Sequence, residues 1–187
     1  MSAVTLEKVR EVAPCLPGDT EGAALLAAAV QWCEHYCGRK FDRANIDAER
    51  GRTVRDDAPG EPRHYVYLAR PPVQAVTSVF LDEAGIDGSL FEVISDGGRA
   101  ERLLIKTYED VPGYATRVSY TGGWEDGAAP AGLVLAVATL MGRLRDRAQQ
   151  GAVGSESSGG ESASYLSAGQ LYEDIRVMLR PYRLMRL

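Results

Sequence analysis

Few residues in this chain could do chemistry. Cys33 and Cys37 are four apart, so on a helix they share a face, while His35 between them points elsewhere. The third cysteine is Cys15 and the second histidine is His64. Zinc needs four converging ligands, and cysteines on an apolar helix face read as core filler. A Ser-His-Asp arrangement would have to use His35, within a helical pattern, or His64, at a strand start. Both read as surface or boundary side chains. The acidic pairs Asp56-Asp57 and Glu125-Asp126 have no neighbour in sequence that would tune a pKa. The patterns GxxxxGK[ST], GxSxG and HExxH are absent, and GDTEGA (18–23) follows no strand. Trp124 and Tyr120 read as the edge of a core. The expectation is no catalytic residue, no metal and no cofactor.

The elements that would position these residues come in three groups. TLEKVREVA (5–13) is a short helix with Leu6, Val9 and Ala13 on one face. After the break PCLPGD, Asp19 or Thr20 caps a longer helix through Cys37, stopped at Gly38. Its stripe is Leu26, Val30, Cys33 and Cys37. Residues 39–63 hold seven basic and six acidic residues and read as a charged loop or arm.

From residue 64 the period becomes two. HYVYLA, VQAVTSVFLD, LFEVI, RLLIKT and ATRVSY read as antiparallel strands, with DEAG (82–85) and SDGGRAE (95–101) as connections. Val118 and Tyr120 fall on one face, Arg117 and Ser119 on the other. Their spacing predicts a meander. A third group opens at Pro130, which can start a helix. That helix buries Leu133, Val137, Leu140, Met141 and Leu144 and ends in Arg143, Arg145 and Arg147. GAVGSESSGGESASYL (151–166), with four Gly and five Ser, reads as a flexible ribbon. SAGQ (167–170) matches a capping box before a last helix, which Pro181 ends or kinks. The fold class is α+β: two N-terminal and two C-terminal helices with an inserted antiparallel β region.

Composition limits function. A net charge of −5 argues against broad gripping of phosphate backbones. The C-terminal end is nevertheless basic: residues 141–187 carry seven Arg against five acidic residues. The longest apolar run, Leu133 to Met141, is too short to cross a bilayer. MSAVTLEKVREVA lacks the layout of a signal peptide, which predicts a cytosolic product.

The order of elements carries a resemblance. WCEHYCGRKF ends the second helix, with Tyr36, Cys37, Gly38 and Arg39 at its close. LARPPVQAVTSV opens the β region, YTGGW precedes the Pro-started helix, and LRPYR closes the chain. This layout resembles the head–tail connector, or adaptor, proteins of tailed bacteriophages. The resemblance implies one connector domain over residues 1–187, with helices in 1–38, the charged loop and β insertion in 39–128, and C-terminal helices in 129–187. It implies a structural virion protein assembled in the host cytoplasm. Such a protein forms a ring of about twelve copies beneath the portal. The ring extends the DNA channel, without sequence-specific binding, and joins the capsid to the next neck (stopper) or tail-completion protein. No enzyme activity, cofactor or membrane is implied.

On this reading the ribbon lets the last helix dock on the portal. The docking residues would be Leu171, Ile175, Arg176, Met178, Leu179 and Arg180, then Tyr182, Arg183, Leu184, Met185 and Arg186. Two competing readings draw on other residues. A small ligand-binding or enzymatic α+β domain would use His35, His64, Cys33 and Asp57. A DNA-packaging accessory protein would use the Arg-rich 141–147 helix end or the 39–63 arm.

Overall fold

The computed structural model describes residues 2–56, 63–95, 102–106, 115–150, 155–158, 161–164 and 172–184. They form two compact units. One is helical, Val4–Cys37 with Ala129–Arg180; the other is mainly β, Gly38–Ala128 with the chain ends Met1–Ala3 and Pro181–Leu187. Among the described residues, four α-helices and antiparallel sheets make the fold α+β, as the change of hydrophobic period predicts.

In the helical unit, α1 (Leu6–Val12) starts at Thr5, whose side chain accepts from Lys8 N. α2 (Thr20–Cys37) starts at Asp19, whose Oδ1 accepts from Glu21 N at 3.1 Å and Gly22 N at 3.3 Å. Its buried line runs through Gly22, Ala29, Cys33 and Cys37, and Gly38 ends it with φ +69°. α3 (Ala131–Gln150) is the central helix. Leu133, Val134, Ala136, Val137, Ala138, Leu140 and Met141 are all buried, more of its circumference than one stripe would cover. It packs against α1, α2 and α4 (Glu173–Leu179), the last burying Ile175 and Leu179. The chain after α4 turns into a 3-10 segment at Arg180–Tyr182, where Pro181 cannot continue the helix. Within the segment read as the last helix, α4 spans seven residues and stops before Pro181, the residue that the sequence marks as ending or kinking it.

Among its described residues the β unit contains two antiparallel sheets. One has the order β1-β8-β4-β5: β1 is Ala44–Arg52, β8 is Ala115–Gly122, β4 is Val73–Leu81 and β5 is Ala84–Gly85. The other has the order β2-β3-β7-β6: β2 is Val54–Asp56, β3 is Arg63–Tyr67, β7 is Arg102–Ile105 and β6 is Phe91–Ile94. Both contribute to one core, with Val66, Leu103 and Ile105 from the second sheet and Val79, Val118 and Tyr120 from the first. The predicted meander is thus corrected. The apolar sides of the strands must meet each other, so sequence neighbours separate into two sheets that share a core.

The expected charged loop over 39–63 is corrected as well, since it holds β1 and β2. β1 reads as loop because its solvent-facing positions carry Asn45, Asp47, Arg50 and Arg52, and because a bulge interrupts its alternation. The register shifts between Ile46 and Glu49, with Ala48 at φ 52°. Three apart in a regular strand, Ile46 and Glu49 would face opposite sides; the bulge takes up the odd residue, so both face inward beside Gly51.

The ribbon is corrected in part. Ser155–Ser158 (β9) and Glu161–Ser164 (β10) form an antiparallel ladder that joins neither four-stranded sheet. The SAGQ capping box and residues 96–101 of the SDGGRAE connection lie outside the described residues. The DEAG turn is present, and Asp82 and Glu83 both have positive φ, as a two-residue hairpin loop requires.

Candidate interaction surfaces

The residues suspected of chemistry are not gathered. Cys33 is fully buried, and burial, then Cys37, then Glu34 push its thiol up to about 12. A thiol held that high is an inert core group. His35 is exposed on α2. His64 departs from the boundary position expected of it: it is buried in β3, paired with Ile105 on β7, and its Nδ1 has no hydrogen-bond partner among the described residues. Among the described residues no group of three His, Cys, Asp or Glu could hold a metal ion. Asp57 lies outside the described residues.

The residues that carried the resemblance do converge. Directly after Gly38, Arg39 is buried, and its guanidinium donates to the carbonyl of Pro71. It lies over the Trp124 ring, 4.6 Å from the centroid. Phe41, fully buried, is 5.8 Å from the same ring. Trp124 N donates to Phe41 O, and Arg43 N to Trp124 O, both at 2.9 Å. Gly123 N donates to Pro72 O at 3.0 Å. Tyr182, from the chain end, meets Trp124 edge-on at 6.1 Å. Segments far apart in sequence (GRKF, RPP, YTGGW and PY) thus form one knot around Trp124. Asp42 draws in the other chain end, its Oδ1 accepting from Ala3 N at 2.8 Å.

The knot also explains the two glycines of YTGGW. A Cβ on Gly122 would lie 2.1 Å from Arg70 O, and one on Gly123 2.3 Å from Asp42 O. Gly123 also has φ +95°. Beside them a second bracket closes the sheet. Tyr120 Oη donates to Glu49 Oε2 at 2.5 Å and accepts from Arg70 N at 3.1 Å, while Glu49 Oε1 accepts from Ala69 N at 2.9 Å. Burial first, and Glu49 second, hold the Tyr120 phenol well above the usual tyrosine range. Sequence reasoning missed Glu49 because it sits in the charged segment read as a loop.

Two of the three arginines at the end of α3 are occupied within the helical unit. Arg143 pairs with Asp174, holding that carboxyl below its ordinary value, and Arg145 donates to Cys15 O at 2.8 Å. Arg147 is exposed. That is a thin cationic surface for the helix-end form of the DNA-packaging reading.

The predicted docking residues divide by burial. Ile175 and Leu179 are fully buried in the helical unit, and Cys37 Sγ lies 4.0 Å from Leu179 O. Arg176 and Met178 are half-buried, with Arg176 3.5 Å from Glu173. Arg180 and Arg183 are exposed, while Tyr182 and Leu184 are half-buried. Val177, not predicted, is an exposed apolar residue of α4. Leu171, Met185 and Arg186 lie outside the described residues. Among the described residues no helix is long and apolar enough to cross a membrane.

The chain belongs to the head completion protein family, which matches it over residues 5–185. The family is one of structural head completion proteins, not of enzymes. The fold is similar to a chain in the structure described as "Virion of native gene transfer agent (GTA) particle". The TM-score is 0.51 at 18% identity, covering 99% of this chain and 91% of that one. A chain in "Neck of empty GTA particle computed with C6 symmetry" gives 0.51 at 19%, with the same coverage. No curated protein matches the chain.

Proposed function

We propose that this protein is a head-to-tail adaptor. Copies form a ring under the portal, extend the DNA channel, and offer a surface to the next neck or tail-completion protein. The observation that carries the reading is the family match over residues 5–185, joined to a fold likeness over 99% of the chain to a chain from a particle neck computed with C6 symmetry. A symmetric neck is built from rings, and rings need repeated contacts rather than a reactive centre.

The C-terminal segment carries the portal contact in this proposal. Ile175 and Leu179 anchor α4 in the helical unit, so docking falls to outward groups, above all Arg180 and Arg183, with Met178, Tyr182 and Leu184 contributing apolar area. Leu171, Met185 and Arg186 complete the segment. Replacing Arg180 and Arg183 by Glu tests this. Portal binding should fall while the thermal midpoint stays within a degree or two, since surface substitutions cost about 0.5 kcal/mol or less. Undiminished binding would remove the segment from the contact.

A further inference from the structure

A ring closed by one repeated head-to-tail contact needs two different patches on each chain that fit one another. The two sides of the β unit carry such a pair. β1 and β2 are end strands of the two four-stranded sheets, and the chain steps from one to the other at Thr53, the one residue between them. β5 and β6 are the opposite end strands, joined through a 3-10 turn at Gly88–Leu90. β8 ties the two sides together. Arg50 and Arg52 of β1 stand opposite its Arg117 and Ala115, and Phe80 and Leu81 of β4 stand opposite its Arg117 and Thr116. The β1–β2 corner and the β4–β5 turn are therefore level along the strands.

The first corner is basic. Arg50, Arg52 and Arg55 are exposed, and among the described residues no carboxylate meets Arg50 or Arg52. Arg50 has a like charge, Arg117, directly across the strand pair, which disfavours the sheet unless an anion lies nearby. The second corner is acidic. Asp82 holds its turn by accepting from Ala115 N at 3.0 Å, which leaves Glu83 and Asp87 as the outward acids. Glu83 meets Arg117 yet keeps 79% of its side chain exposed. From 82 to 90 the sequence contains no Lys or Arg. Each corner also presents one large apolar side chain: Val54 is 37% exposed and Leu90 39%. Among the described residues of the β unit they are the two exposed large apolar side chains, and they fall on the two oppositely charged corners.

We infer that the Arg50, Arg52 and Val54 corner of one copy packs against the Glu83, Asp87 and Leu90 corner of the next. This rests on the ring reading above. The contact is made through side chains and not by strand addition, because β1 is bulged at Ala48 and β5 is two residues long, and such edges resist pairing. The apolar pair excludes water at the middle of the contact. The ion pairs around it set the direction of assembly and weaken with salt.

A charge-exchange experiment with the full chain and its portal tests it. The variant R50E/R52E and the variant E83R/D87R should each raise the concentration for half-assembly by roughly tenfold, a 1.4 kcal/mol change. Their melting curves should stay close to that of the unmodified chain, since exposed ion pairs contribute little to folding. D87R alone leaves the pair between Glu83 and Arg117 in place and should shift assembly in the same direction. An equal mixture of the two double variants should recover assembly. One variant then has two acidic corners and the other two basic ones, so a ring in which they alternate satisfies every contact. A loss caused by damage within one chain is not rescued by mixing. Variants that assemble like the unmodified chain, or a mixture that fails to recover, would overturn the contact while leaving the ring. An unmodified chain that forms no ring at the portal would overturn the ring reading itself, and this contact with it.

Discussion

The guanidinium of Arg39 lies 4.6 Å from the centre of the Trp124 ring and donates to the carbonyl of Pro71. One buried cation thereby joins the segment after Gly38, the Pro-Pro segment and the YTGGW turn. The charge gains there from a donor, Nη2, that reaches a carbonyl and from a planar face that meets an aromatic one. Lysine has neither the fork nor the plane. The relationship gives a physical reason for three sequence motifs that otherwise look unrelated.

Trp124→Ala should cost about 3–5 kcal/mol, the range for truncating a buried aromatic side chain. Arg39→Lys keeps the charge but loses the stacked geometry and should cost about 1–2 kcal/mol. Urea unfolding of both variants checks the order. A larger loss for Arg39→Lys than for Trp124→Ala would mean that the knot is organised around the cation rather than the ring.

Gly122→Ala and Gly123→Ala should each cripple the β unit. Both added methyl groups meet backbone oxygen, which cannot rotate away, and Gly123 adds a left-handed φ. Soluble yield and near-ultraviolet circular dichroism are the readouts. Gly88→Ala is the control, since its added Cβ meets nothing within 4 Å.

Tyr120 predicts an alkaline limit. Its phenol is held above the ordinary range, so the fold favours the protonated form. Its contribution is complete below the ordinary tyrosine value of about 10 and is lost as pH rises through the higher folded value. Stability between about pH 10 and 11 should fall less steeply in Tyr120→Phe than in the unmodified chain. Equal slopes would remove Tyr120 as the cause.

The cysteines give a simple check on packing. Cys15 is exposed, whereas Cys33 and Cys37 are buried. A thiol reagent should label one cysteine quickly in the native protein and all three in denaturant. Fast labelling of Cys33 would contradict both its burial and its raised pKa.

Much of this architecture was legible in the sequence where one side of an element is dry. Val9, Cys33, Leu133, Val137 and Tyr120 sit on the faces their periodicity assigns. The start of α2 was legible because a capping Asp19 leaves a chemical signature. β1 was not, since an edge strand with a bulge breaks the alternation by which strands are recognised, and its inward carboxylate, Glu49, looks like one more surface charge. Nor was the knot. YTGGW and PPV were visible as motifs, but the distance between Trp124 and Arg39 is set by tertiary pairing over long sequence separations, which no local pattern encodes. The burial of Ile175 and Leu179 shows the same limit: an apolar helix face does not reveal whether it covers its own fold or a partner.

The central claim is that this chain adds to a portal as a ring, and the most direct test is the mass of the protein by light scattering with and without its portal, followed by negative-stain images of the mixture. The account predicts a complex heavier than the portal by many copies of the 20.2 kDa chain, with a ring of added density at one end. A chain that stays at its own mass beside an unaltered portal would contradict it.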